Sequence, residues 1–207
     1  MAEQKEGERM KGGPVYTVIF MLVISAVFTL VLSLANAYYL PRIEENELLD
    51  DRRAVLYVFE LDAEGGPEEV LELFENAVVS EMLADMEIYA HLDEDEQVLA
   101  YAVPFTGAGL WGTMHGYLGV TPEFDKITGL VFTEHNETPG LGARIDEREY
   151  LEQFRGLEIT GELAYGPAGD DRLDAITGAT STSNAVLRIL NNLIDRKIAE
   201  LEVVLDD

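Results

Sequence analysis

The residues of this chain best suited to chemistry stand together at Asp174-Ala175-Ile176-Thr177-Gly178-Ala179-Thr180-Ser181-Thr182-Ser183. The run lies just before a segment with helical apolar spacing, at the place where a helix starts. Backbone N–H groups there are unpaired and the helix dipole is positive, so a phosphate held near Thr180 is stabilised without a basic side chain. Gly178 and Ala179 add little side-chain bulk, which lets a cofactor phosphate or another protein approach the backbone and the Thr180 hydroxyl. An alkyl hydroxyl is a weak nucleophile unaided, and no adjacent base is obvious. The plainer reading of a Ser/Thr-rich helix start is a side-chain N-cap.

The elements that must position this run follow from periodicity. Val186, Leu190, Leu193, Ile194, Ile198 and Leu201 make the apolar stripe of a C-terminal helix beginning near Ser183. Pro67 to Met86 reads as a helix with Val70, Leu73, Phe74 and Ala77 on one side. AVLYVFEL, residues 54–61, predicts a strand after a charged segment at 42–53. Val98 to Val103, Ile127 to Thr133 and Leu157 to Tyr165 predict further short strands between Gly, Pro and Asp turns. Strict βαβ alternation is missing, so the expected fold is α+β with a mainly antiparallel sheet. A length of 207 residues fits one soluble domain, and no repeat or low-complexity linker interrupts it.

A membrane span precedes that domain. Val15 to Leu40 is uncharged and runs for 26 residues, or roughly 39 Å as a helix, against a hydrocarbon core of about 30 Å. Tyr16 at one end and Tyr38 and Tyr39 at the other suit the two interfaces. The division is then a tail at 1–14, a transmembrane helix at 15–40 and a domain at 41–207. Ala35-Asn36-Ala37 resembles a processing site, so a cleaved secretory signal is the rival, although the apolar stretch exceeds the usual signal core. Ser25, Thr29, Ser33 and Asn36 share one helix face, which suits packing against other membrane subunits or bonding back to the helix's own carbonyls. Lys5, Arg9 and Lys11 before the span and Arg42, Arg52 and Arg53 after it leave its orientation undecided by charge.

Composition removes several function classes. The net charge is −26; setting aside Lys5, Arg9, Lys11 and Glu3, Glu6, Glu8 leaves 11 basic and 37 acidic groups in residues 41–207. Such a surface repels nucleic acid and anionic headgroups, and its bland reading is a solvated face. With no cysteine there are no disulfides, iron–sulfur clusters or thiolate metal sites, and three scattered histidines, His91, His115 and His135, make no metal site. Redox chemistry therefore requires a borrowed cofactor.

The run D-A-I-T-G-A-T resembles the flavinylation motif Asp-x-x-(Ser/Thr)-Gly-Ala-Thr. His135-Asn136-Glu137-Thr138-Pro139-Gly140-Leu141-Gly142-Ala143 resembles the E-T-P-G-L-G loop of the same family. That family comprises the FMN-binding subunits of two related complexes: the G subunit of the Rnf ferredoxin:NAD oxidoreductase and the C subunit of the sodium-translocating NADH:quinone oxidoreductase. Gly107 to Gly116, with Gly109-Leu110-Trp111, is closer to the second; the short chain is closer to the first. The resemblance covers the whole chain, with one span followed by one FMN domain.

It implies covalent FMN, joined through its phosphate to Thr180 by a separate flavin transferase. Asp174, Thr177, Gly178 and Ala179 are then recognition residues, and Glu137, Thr138, Leu141 and Trp111 are flavin contacts. It also implies an electron carrier in the cytoplasmic membrane, its domain extracytoplasmic, working beside other membrane subunits that move sodium or protons. No residue of the chain is expected to be catalytic and none to bind metal. Pro139-Gly140 is a turn in most proteins, and a lone Trp111 between glycines is as often core. Two other functions fit the same residues: a stand-alone membrane-anchored flavoprotein of an extracellular reductase chain, or a non-redox interaction module in which TGATSTS is only a cap or phosphosite.

Overall fold

The computed structural model describes residues 13–61, 65–83, 86–166 and 173–206. The chain divides into two units, Met1–Glu47 and Leu48–Asp207. Helix α1, Pro14–Val58, contributes to both.

In the first unit, α1 carries the expected span with its apolar side chains from Val15 to Leu40 exposed. Among the described residues it is the one helix long and apolar enough to cross a membrane. Pro41 lies inside it and has no N–H to give the Ala37 carbonyl. The expected tail lies, through residue 12, outside the described residues.

The second unit is built on five antiparallel strands: β1 Val78–Leu83, β2 Met86–Leu92, β3 Val98–Ala108, β4 Thr113–Val120 and β5 Ile127–Glu134. They lie side by side in chain order. Alternation sorts their side chains to two faces. Ile88, Tyr101, Val103, Phe105, Met114, Leu118, Leu130 and Phe132 share one core with Val186, Ile189, Leu190 and Leu193 of helix α4, Thr180–Leu193. Ala100, Ala102, Tyr89, Tyr117 and Val131 face a second core holding Val55, Leu56, Val58 and Phe59 of α1 and Val70 of helix α2, Pro67–Ala77. The predicted α+β class and antiparallel sheet are what the structure has.

Three local expectations are corrected. Residues 54–58 are helix, not strand. A continuous apolar run does not distinguish a strand from a buried helix, and here it prolongs a helix already nucleated across the charged residues 42–53. Val58 sits against Gly119 and Gly129, paired across β4 and β5, where any Cβ would lie within 3.0 Å of Val58 atoms. The helix expected over Pro67–Met86 ends at Ala77, because Val78 turns extended (φ −127°, ψ 133°) and enters β1. Leu157–Tyr165 is no strand; it makes only isolated bridges, Lys126 to Glu158 and Tyr165 to Leu173. Its backbone is satisfied from elsewhere: the Asn191 side chain accepts from Leu163 N–H at 2.8 Å and donates to the Leu163 carbonyl at 3.0 Å.

The C-terminal stripe holds. Val186, Leu190, Leu193, Ile198 and Leu201 are buried, and a π-helical turn at Ile194–Ile198 leads into α5, Ala199–Asp206. Helix α3, Arg148–Leu151, sits in the connection after β5. There Arg155 braces the unit, donating to the carbonyls of Thr128 (2.5 Å) and Tyr57 (3.3 Å) and pairing with Glu60 and Glu152.

Candidate functional site

The Asp174–Ser183 run folds as a turn and then a helix. Ala179 N–H bonds the Ile176 carbonyl at 3.0 Å, closing a four-residue turn whose third position is Gly178 at φ +83°. That left-handed geometry suits glycine, as in a type II turn. Leu141 N–H closes the same kind of turn on the Thr138 carbonyl at 3.1 Å, with Pro139 second and Gly140 third at φ +73°. The two motifs thus meet as two matching turns: a Cβ on Gly178 would touch Leu141 Cδ2 at 3.4 Å.

Helix α4 starts at Thr180, earlier than the expected Ser183, and its N-cap residue is Ala179, with no side-chain capping bond. The cap reading of Thr180 is therefore not the one used. Thr180 is exposed, whereas Thr182 and Ser183 are 1% and 0% exposed and fully employed. Ser183 Oγ accepts from Ile176 N–H at 3.0 Å and donates to the Ala179 carbonyl at 3.1 Å, locking the turn onto the helix. Ser183's own carbonyl accepts from the Tyr165 phenol at 3.0 Å, and Tyr165 in turn meets Tyr150 at 2.6 Å. Since Tyr165 spends its one proton on Ser183, Tyr150 is the donor in that pair. Burial pushes the Tyr150 phenol well above its ordinary value and raises that of Tyr165, so both stay protonated donors under this turn.

Glu137 is 5% exposed and its carboxylate is spent on protein groups. Oε1 accepts from the N–H of Leu110 (2.7 Å) and of Trp111 (3.2 Å), and Oε2 accepts from the Thr182 hydroxyl at 2.5 Å. The β3–β4 loop, pinched by Gly109 N–H on the Gly112 carbonyl at 2.7 Å, is thereby joined to the first turn of α4. Glu137 N–H donates to His135 Nδ1 at 3.1 Å, which leaves the ring proton on Nε2, 2.6 Å from Asp146.

The structure brings together most of the residues singled out from sequence. Gly178 adjoins Leu141, and Glu137 ties Trp111 to Thr182. Thr138 and Leu141 are exposed on the second turn, and Trp111 is 66% exposed, so it is not the core tryptophan that its glycine neighbours allowed. Asp174 and Thr177 are exposed, with Asp174 N–H fixed on Gln153 Oε1 at 2.6 Å. Thr182, Ser183, Gly109 and Gly142 stood inside the motifs read from sequence but were given no role of their own. The need for glycine is visible only in the fold: a Cβ at Gly109 or Gly142 would stand 2.7 Å from a Glu137 oxygen.

The arrangement fits a phosphate ester of a planar aromatic group. An unused hydroxyl stands beside unpaired helix N–H groups, a neighbour without Cβ leaves room, and three exposed apolar side chains, Leu110, Trp111 and Leu141, belong to the adjoining loops.

Comparison with known proteins agrees. A family model described as an FMN-binding domain matches residues 109–195. The G subunit of the ion-translocating oxidoreductase complex of Methanosarcina acetivorans is 30% identical over 188 residues, covering 86% of this chain and 91% of that protein. The C subunit of the Na(+)-translocating NADH-quinone reductase of Pasteurella multocida is 34% identical over 110 residues; the match spans 48% of this chain and only 42% of that relative's length. The crystal structure of NqrC from Shewanella oneidensis shares the fold, with a TM-score of 0.61 at 23% identity over 72% of this chain and 91% of that one. The chain belongs to the FMN-binding family that includes the G subunits of ion-translocating oxidoreductase complexes and the C subunits of Na(+)-translocating NADH-quinone reductases.

Proposed function

We propose that this chain is the membrane-anchored electron-transfer component of an ion-translocating redox complex, and that Thr180 carries its FMN as a phosphoester. The observation that carries the proposal is the division of labour in one helical turn. Thr182 and Ser183 are buried and bonded, while Thr180, where the motif ends, is exposed at the first position of an uncapped helix.

Bound flavin supplies the redox chemistry that a cysteine-free chain lacks. The chain's own residues hold and orient it. The N–H groups of the first turn of α4 face the phosphate, and Gly178 and Ala179 leave it room. Asp174, Thr177, Gly178 and Ala179 form the segment that a flavin transferase reads, with Asp174 and Thr177 on the surface. Leu141, Trp111 and Thr138 are the exposed groups that would receive the ring, and Glu137 holds the Trp111 backbone N–H. Tethering keeps the cofactor from leaving and fixes its reach to neighbouring carriers. None of these residues performs acid–base chemistry.

The apolar part of α1 is the anchor in the cytoplasmic membrane, its Ser25, Thr29, Ser33 and Asn36 face packs against other subunits, and residues 41–207 form an extracytoplasmic domain. Those partners move the coupling ion. Full-length protein from a host that has the transferase is the test. Intact mass should exceed the sequence mass by one FMN less the water lost in forming the ester, peptide mapping should place it within residues 173–188, and Thr180→Ala should abolish it. A bare peptide in the unsubstituted protein sinks the proposal.

A further inference from the structure

We propose that Glu137 is a positioning residue: its buried carboxylate fastens the Leu110-Trp111 tip of the β3–β4 loop to the first turn of α4, and so sets where Trp111 stands relative to Thr180. The use of that position rests on the flavin reading above; the fastening itself does not.

Three segments distant in sequence converge on the one carboxylate. Successive N–H groups of Leu110 and Trp111 point at Oε1, a small backbone nest of the kind that binds anions, while Oε2 takes the Thr182 hydroxyl. Gly109 and Gly142 flank the carboxylate so closely that a Cβ at either would collide with it. Glutamate is the only residue from the E-T-P-G-L-G stretch that is buried and charged, and its neighbour Thr138 is exposed. Among the described residues the other tie to α4 is Arg188 Nη2 on the Ala108 carbonyl at 2.8 Å, which holds the end of β3 and not the exposed Leu110 and Trp111; the turn beneath those two is closed by Gly109 N–H on the Gly112 carbonyl. Without the carboxylate the two loop N–H groups lose their buried acceptor, and the Leu110-Trp111 tip loses its link to the first turn of α4 while Arg188 still holds Ala108.

The proposal distinguishes Ala from Gln at this position. In Glu137→Gln the amide oxygen still accepts from both N–H groups, and the amide N–H₂ donates to Thr182 Oγ1, whose hydroxyl turns to accept. Glu137→Ala has neither contact. Thr182→Val, close in shape, removes one strut only.

Trp111 is the chain's one tryptophan, so its emission reports this tip alone. The experiment uses the full chain in detergent, made with and without a flavin transferase. In transferase-free protein, Glu137→Ala should lower the Trp111 fluorescence anisotropy and increase its quenching by acrylamide, Thr182→Val should do so by a smaller step, and Glu137→Gln should restore the unsubstituted values. In flavinylated protein the mass increment should persist in all three, while flavin emission rises in Glu137→Ala as the indole ceases to quench it. Unchanged anisotropy in both Glu137→Ala and Thr182→Val overturns the proposal; if Glu137→Ala does not fold, Thr182→Val decides it. Absence of the mass increment from unsubstituted protein instead refutes the flavin reading and leaves the transferase-free measurement standing.

Discussion

Replacing Ser183 and Thr180 one at a time by alanine should give opposite phenotypes. In Ser183→Ala a fully buried oxygen disappears. The Ala179 carbonyl keeps the Ser183 N–H at 2.9 Å, but the buried Ile176 N–H has no other acceptor among the described residues. An orphaned buried donor costs about 1–3 kcal/mol. A central value of about 2 kcal/mol lowers the Tm by about 4–8 °C in a domain of this size. Thr180→Ala removes an exposed hydroxyl from a helix that has no side-chain cap, so its stability change should stay within about 0.5 kcal/mol. Thermal and urea unfolding of transferase-free protein measure both changes, and intact mass after coexpression with a transferase reads flavin loading. Ser183→Ala should be destabilised yet loaded wherever it is folded; Thr180→Ala should be stable and unloaded. If Thr180→Ala loses as much stability as Ser183→Ala, its hydroxyl is a cap after all and the division of labour within this turn is refuted.

Gly129→Ala should cost about 1–3 kcal/mol, because its Cβ would meet Val58 Cα at 2.8 Å, and a backbone atom cannot swing aside as a side chain can; unfolding in urea at unchanged m-value checks this. Arg155→Met should cost about 2–3 kcal/mol, since two backbone carbonyls and two carboxylates lose their donor, and a melt within error of the parent would deny Arg155 its bracing role. Burial also raises the phenols of Tyr57, Tyr89, Tyr101, Tyr117, Tyr150 and Tyr165 above their ordinary value. A raised folded value favours the protonated native form. The stability it contributes is complete below the unfolded value of about 10 and falls as the pH climbs beyond it. Unfolding free energy measured across that range should decline, and a flat profile would contradict the burial of these rings.

What the sequence disclosed was local, and what it hid was tertiary. The stripe from Val186 to Leu201 is a period within one helix, and it survives folding because the sheet accepts that one face. Thr180 was singled out by the order of its neighbours, a property of the chain alone. The 54–58 segment was misread because its apolar residues serve a second core beneath the sheet, which no local pattern reveals. β4 escaped notice because Gly116 and Gly119 interrupt its alternation; their value lies in what packs against them. Leu157–Tyr165 has strand composition, but Asn191, 28 residues beyond Leu163, takes the hydrogen bonds a neighbouring strand would have used. Glu137 was singled out as a cofactor contact, yet its carboxylate is turned inward onto Leu110, Trp111 and Thr182, a geometry that depends on three separate segments meeting.

The strictly sequential order of the sheet also dictates a timetable. Each strand pairs with the one made just before it, so every pairing closes over a short stretch of chain and can zip up hairpin by hairpin as the polypeptide emerges. Residues 174–183 are synthesised after all five strands, and α4 must then settle on a face already laid down. The seat for Thr180 accordingly takes shape after the sheet, and any enzyme that acts on this hydroxyl in its folded setting must wait until α4 has been made.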